Sequence, residues 1–522
     1  MKDNFQKIKP YVFETLFYVG VFLFSVLSYI IFTPLYGGNE HIGRGEPAKC
    51  FAIIFLAILA LITFLLYKNK KLTRERIIFI LILAGYAIRL GYILYTEGVA
   101  RQYDTWGDVG HFGYAKTLLL TGKLPTSNEY QFYHPPLNAF IQSQFMAFFE
   151  DVFTFVNSHM LWLTSNKGLE LTLESYYSAC QTLSITYITM LTVISCKIFK
   201  RLNISGTCGL VGLIFIIFFP RLNQFSGQLN NDVLCLLFTV LSVYWAIKFY
   251  QNQNYLNIVV LALSIGFGLM CKLNGAVICL PIALLFIIIF VKRIISKDKK
   301  EIIDIIIKYG LFLFICAPIG LWFQVYAKIR FDQNLGYVFP YLNDELSTSG
   351  VSFFRRFFIP SFKTVFEKPF ANAWEDYNLI DYMTKSSMFG EFSYWNGTAF
   401  AFVAVILNYL FQIFFIISLV FWFFHRYFEQ KKIFDLPVII LLSTLVTIIG
   451  AQIYFYIKMP YGCTMDFRYV VAVVVAYGGM TGVMISDAKE TRLLGFKTIS
   501  NCLSFFAVAL VVCTSIFYLV CI

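Results

Sequence analysis

The chain has 522 residues, of which 58% are hydrophobic, 19% aromatic and only 14% charged, against roughly 25% charged in an ordinary soluble domain. The net charge of +12 is spread over short Lys- and Arg-bearing loops, which excludes the single basic face of a nucleic-acid binder. The composition instead predicts an all-α polytopic membrane protein, folded as one domain over residues 1–522.

Apolar runs of about 20 residues, long enough to cross a hydrocarbon core, begin near 11–33, 49–67 and 77–97. The first is too long for a secretory h-region and lacks a small-residue cleavage site, so it reads as a retained span. A long loop over 99–173 interrupts the series. Spans then follow near 174–196, 206–220, 230–249, 255–271, 275–291 and 303–326. A second long loop occupies 327–397, and spans near 399–424, 436–457, 469–486 and 499–521 complete a bundle of about thirteen.

With Lys2, Lys7 and Lys9 in the cytoplasm, the loops at 68–76, 197–201, 291–300, 425–432 and 487–497 also fall inside, and all are rich in Lys or Arg. The two long loops and the turns at 220–231, 271–274 and 458–468 are then left on the outer side of a plasma membrane. Every polar cluster of interest falls there. A transporter would place ionisable residues within its spans near the midplane, whereas gathering them at one face suits surface chemistry.

The most informative stretch is Tyr103 to Ile141, which carries Asp104, Asp108, His111 and His134. Gly107 precedes Asp108, and Gly122 and Pro125 follow the run VGHFGYAKTLLL, which predicts a capped helix of about three turns. Phe112, Ala115, Leu118 and Leu119 fall on one side of it, as an in-plane juxtamembrane helix requires. A second helix begins at His134-Pro135-Pro136, with Leu137, Phe140, Ile141 and Phe145 as its apolar stripe.

Twelve cysteines form no C-x-x-C pair, and most of them lie inside apolar spans, where they read as small core residues. Five histidines show neither H-x-x-x-H nor H-E-x-x-H spacing, so a zinc site built on one helix is unsupported. There is no internal repeat and no glycine-rich phosphate loop followed by a basic residue. Cytoplasmic nucleotide chemistry is therefore not expected.

Several segments together resemble the GT-C class of membrane glycosyltransferases, specifically the bacterial family-39-like group related to protein O-mannosyltransferases and the aminoarabinose lipid A transferases. They are Asp104, the Asp-Val-Gly-His of 108–111, Tyr-His-Pro-Pro-Leu at 133–137 and Gly-Gln-Leu-Asn-Asn-Asp at 227–232. Lys-Leu-Asn-Gly at 272–275, Phe-Gly-Glu-Phe at 389–392 and Cys-Thr-Met-Asp-Phe-Arg-Tyr at 463–469 complete the set. The sequence departs from the family's Asp-Glu pair in having Asp108-Val109, and it adds two spans before the usual first one. The resemblance implies a GT-C-like bundle that moves a monosaccharide from a polyprenyl-phosphate donor to a glycan, lipid or protein acceptor on the outer face, with inversion. A lipid-linked glycan flippase and an envelope polysaccharide polymerase or ligase are the competing readings.

The chemistry assigns roles. An acceptor hydroxyl attacking an anomeric carbon needs a carboxylate to take its proton. Asp108 is the first choice of catalytic base, its structural alternative being the N-cap of the following helix. Asp104 is either the base or a charge that raises its neighbour's pKa. A leaving phosphate calls for cations, and Arg468, Lys272, Arg221 and Lys458 are the candidates. Asp466, two residues from Arg468, joins it as substrate-binding or forms a structural ion pair with it, and Lys272 alternatively snorkels. His111, one turn after Asp108, is placed to hydrogen-bond it, and His134 to orient a phosphate or the acceptor. Asn230, Asn231 and Asp232 read as a helix cap. The Trp374, Asp376, Lys385, Glu391 and Trp395 region mixes aromatic and polar groups that suit sugar rings or a membrane-edge belt equally. No metal ion is obligatory in this scheme, although Asp104 and Asp108 are also suited to holding a divalent cation through water. Membrane lipids are the other partners expected, and nucleic acid is not.

Overall fold

A computed structural model describes residues 2–35, 45–96, 102, 107–159, 171–338, 344–394, 398–431 and 433–520. Its secondary structure is helical throughout, with one isolated bridge between Ser347 and Tyr461 among the described residues. Long helices start where the sequence supplies a side-chain acceptor for their unpaired N–H groups. Thr73 caps Arg74–Tyr95, Asn254 caps Tyr255–Cys271, Asp298 caps Lys299–Phe331 and Asp435 caps Leu436–Lys458.

The protein is an all-α polytopic membrane protein. Among the described residues, ten helices are long and apolar enough to cross a bilayer. The pair Gly462–Val470 and Val473–Glu490, bent by 57°, accounts for the span predicted at 469–486. The segments predicted at 206–220 and 255–271 form the shorter apolar helices Gly206–Ile217 and Tyr255–Cys271. A helix of 12 residues rises only about 18 Å, less than a hydrocarbon core of about 30 Å. It stops before Pro220, which opens the next short helix, Pro220–Phe225, because proline has no N–H to continue the ladder. Large apolar side chains such as Phe13, Phe64, Phe314 and Ile329 are exposed, while Ser25, Thr189, Asn223 and Gln224 are buried. That inversion is expected where lipid replaces water around a helical protein.

The described residues pack into two compact units. The first comprises Met1–Thr126, Asn138–Leu191 and Asn223–Val233. Helices Gly45–Lys68 and Arg74–Tyr95 meet there at Gly91, where an added Cβ would lie 2.7 Å from the Ala52 Cβ. The 227–232 loop is tied down in the same unit. Gln181 Nε2 donates to the carbonyls of Thr96 and Gly227, each at 3.1 Å, and the Gln102 side-chain oxygen accepts the N–H groups of Leu229 and Asn230 at 2.8 and 3.2 Å.

The second unit comprises Ser127–Leu137, Thr192–Leu222 and Leu234–Ile522. Helices Gly206–Ile217 and Val473–Glu490 cross at Gly212 and Gly478, where a Cβ on Gly212 would lie 2.3 Å from the Gly478 carbonyl oxygen. Close approach through small residues is how helices associate in lipid, where burial of apolar surface offers no gain.

Candidate active site

In the first unit, Asp108 stands on a tight turn. Gly107 has φ +90°, and the Gly110 N–H donates to the Gly107 carbonyl at 3.2 Å. The turn lies directly on Gly113, where a Cβ would sit 2.2 Å from the Asp108 carbonyl oxygen. The helix therefore begins later than the sequence suggested. It runs His111–Thr121 with Gly110 as its N-cap and no side-chain capping bond, so Asp108 is not the cap. Its end is as predicted, with Gly122 in the left-handed conformation at φ 64°. The Asp108 carboxylate is 94% exposed and lies 3.6 Å from Lys116 Nζ, a surface pair that costs little to break. His111 is buried at the start of the helix. Asp104 lies outside the described residues. Asn230 Oδ1 accepts the N–H of Asp232, the first residue of helix Asp232–Gln251, at 3.3 Å.

The remaining predicted site residues belong to the second unit. The 3₁₀ turn Tyr130–Tyr133 delivers His134 to a buried position, with its ring 4.0 Å from that of Tyr133. Gln333 holds this segment by donating to the Tyr133 carbonyl at 3.3 Å while accepting from Asn128 at 3.3 Å. The helix Leu137–His159 then starts straight after Pro135-Pro136.

Lys272 and Arg468 come together. Lys272 is the extended residue at which helix Tyr255–Cys271 gives way to the 3₁₀ turn Leu273–Ile278. That reversal brings Gly275 against Gly268, where a Cβ would lie 3.1 Å from the backbone, so the glycine of the Lys-Leu-Asn-Gly motif has a steric reason. Lys272 Nζ lies 5.2 Å from the centroid of the Tyr469 ring, and the Arg468 guanidinium lies 4.9 Å from the same centroid. Arg468 Nη2 also donates to the Tyr469 hydroxyl at 2.8 Å. One aromatic ring thus supports two cations from distant segments, an arrangement that cation–π attraction favours.

Asp466 sits behind them. It is buried, and its Oδ1 accepts the Arg468 N–H at 3.1 Å, capping the turn Phe467–Val470. Its principal ionic partner is Arg221, whose Nη2 donates to both carboxylate oxygens at 2.9 and 2.7 Å, whereas Arg468 Nε lies 3.7 Å away. The expected ion pair of Asp466 with Arg468 is therefore present but secondary to the one with Arg221. Arg221 Nη1 donates to the Ser386 carbonyl at 3.2 Å, and Ser386 Oγ accepts the Phe467 N–H at 3.0 Å.

Glu391 completes the cluster, although the sequence placed it only in a mixed aromatic loop. Tyr382 donates its hydroxyl proton to Glu391 Oε1 at 2.6 Å. Burial and the charge of Asp466 push the Glu391 carboxyl up to about 7, against the opposing pull of Arg468, Tyr382 and Arg221. Elsewhere in the same loop, Asp376 and Lys385 form an almost fully buried pair at 2.7 Å. Trp374 is exposed, and Trp395 lies outside the described residues. Lys458 is exposed beside Tyr454, at 5.9 Å from its ring centroid. Among the described residues, the cysteines are free thiols, and no group of three or more His, Cys, Asp or Glu side chains converges as a metal site would require.

Residues 176–322 match the family described as dolichyl-phosphate-mannose-protein mannosyltransferase. Compared with curated proteins, the sequence gives no match. The family match supports the resemblance to GT-C membrane glycosyltransferases over that segment, and the long apolar helices fit a multi-pass membrane protein of that kind.

Proposed function

We propose that this GT-C-like glycosyltransferase moves one sugar from a polyprenyl phosphate to an acceptor hydroxyl at the outer face of the plasma membrane, with inversion at the anomeric carbon. The acceptor is a glycan, lipid or protein. The observation that carries the reading is the convergence of Lys272 and Arg468 on Tyr469, beside the buried Arg221–Asp466 pair. Two cations of different reach suit a phosphate, because a guanidinium offers paired donors and an ammonium a compact charge.

In this scheme Asp108 takes the acceptor's proton as the hydroxyl attacks. Its exposure and its single loose partner leave the carboxylate available. Asp104 assists by its charge, and His111 and His134 orient the reacting groups. Arg468 and Lys272 take up the charge that grows on the departing phosphate. Because they supply positive charge, no metal ion is obligatory. The outward placement rests on the Lys- and Arg-rich loops assigned to the cytoplasm.

The test is transfer by the purified protein from a panel of polyprenyl-phosphate monosaccharides. The reading expects product from at least one member of the panel. Failure of the whole panel, alongside turnover of a pyrophosphate-linked oligosaccharide, would assign the protein to polymerisation instead.

A further inference from the structure

Helix Leu379–Phe389 ends at Gly390, whose φ of 65° lets the chain reverse so that Glu391 returns beside its own helix. Tyr382 fixes the carboxylate there at 2.6 Å, and Ser386, one turn along the same helix, holds both the Phe467 N–H and Arg221. The same helix thus carries Tyr382 and Ser386 to the turn bearing Asp466 and Arg468. Asp466, Arg468 and Arg221 all act electrostatically on Glu391. Of these four ionisable side chains, two are guanidiniums and two are carboxylates. With Glu391 ionised these four balance and Lys272, on the Tyr469 ring that Arg468 shares, is the one surplus cation; with Glu391 protonated the surplus rises by one.

Neighbouring charges have other engagements. Asp376 is paired with Lys385, and Asp381 accepts from the Ser361 N–H at 2.6 Å and from Tyr409. On the packed helix Phe353–Phe357, the Arg355 guanidinium lies 6.0 Å from the Tyr377 ring, and that of Arg356 lies 5.5 and 5.3 Å from the Phe357 and Tyr456 rings. Cys463 adds a thiol near Tyr382. Glu391 is therefore the group whose protonation changes the charge of the cluster.

We infer that Glu391 is a positioning residue of the anion site: ionised, it holds the two arginines in a balanced resting arrangement, and it takes up one proton from solvent when a lipid phosphodiester binds. The inference rests on the lipid-phosphate reading above and adds proton coupling to it. As a residue Glu391 is half-buried. Its raised pKa, about 7, puts the exchange in the neutral range.

The experiment is equilibrium binding of the methyl diester of polyprenyl phosphate to the full-length protein in lipid nanodiscs, from pH 5.5 to 8.5. This probe has a single acidic group that stays ionised throughout. Wild type should bind about tenfold more weakly for each pH unit above neutrality, and calorimetry in two buffers of different ionisation enthalpy should show proton uptake. Glu391→Gln should bind with the low-pH affinity at every pH, and Glu391→Asp should keep the slope with a displaced midpoint. Wild-type binding without a pH slope, or an unchanged slope in Glu391→Gln, overturns the role of Glu391 alone. No binding by wild type at any pH overturns the lipid-phosphate reading together with it.

Discussion

Arg221 Nη2 closes on both carboxylate oxygens of Asp466, and the two side chains are 1% and 2% exposed. Removing one partner leaves the other buried with only weaker compensation, Asp466 with Arg468 at 3.7 Å and Arg221 with the Ser386 carbonyl, so the loss should approach the about 3–5 kcal/mol typical of a broken buried pair. Arg221→Ala and Asp466→Ala should each lower the thermal unfolding midpoint markedly in detergent. The paired replacement Arg221→Met with Asp466→Leu should recover much of that loss. Single variants as stable as wild type would show that the pair does not hold the 462–470 turn.

Lys272 and Arg468 differ from that pair in being only half-buried, with the Tyr469 ring between helix ends as their common support. Alanine at either position should weaken polyprenyl-phosphate binding about 10- to 100-fold, the range expected for one charge-assisted contact. Binding of unphosphorylated polyprenol should be unchanged. Arg468→Lys should restore only part of the affinity, because it keeps the charge and loses the planar donor to Tyr469. Equal losses for phosphate and alcohol would indicate damage to packing.

Asp108→Asn should reduce turnover by about 10² to 10⁴, the contribution usual for a positioned base, with donor affinity and unfolding midpoint preserved. The exposure of the side chain argues for unimpaired folding. Steady-state transfer and donor titration on one preparation make the check, and retained turnover would remove Asp108 from the mechanism.

The raised Glu391 pKa also has a stability consequence. A carboxyl displaced upwards from its ordinary 4.5 to about 7 contributes stability that is fully present below 4.5 and lost as pH rises through 7. Glu391→Gln should therefore gain in unfolding midpoint relative to wild type between pH 5 and pH 8. A constant difference across that range would contradict the shift.

Most of the spans were legible because lipid demands long apolar runs and leaves Lys and Arg in the loops, whereas the runs at 206–220 and 255–271 gave helices shorter than the others. The Gly122 cap and the Pro-Pro start at 135–136 were legible because they are local backbone rules. The start of the first loop helix was not. Its onset depends on how the 107–110 turn lies against Gly113, which spacing alone does not reveal. Arg221 and Asp466 stood out individually, and the pairing of Asp466 with the nearby Arg468 was legible, yet its tighter pairing with Arg221 is a tertiary fact that spacing does not reveal. Glu391 was hidden for a similar reason. Its chemistry comes from Tyr382 on the preceding helix and from charges on the 221 and 466–468 segments.

The most direct measurement is the stoichiometry and configuration of products from a single polyprenyl-phosphate monosaccharide. One polyprenyl monophosphate should be released for each sugar transferred, with the new glycosidic bond opposite in anomeric configuration to the donor. Delivery of intact donor to the other leaflet, or release of lipid pyrophosphate from a pyrophosphate-linked donor with none from the monophosphate, would contradict the account.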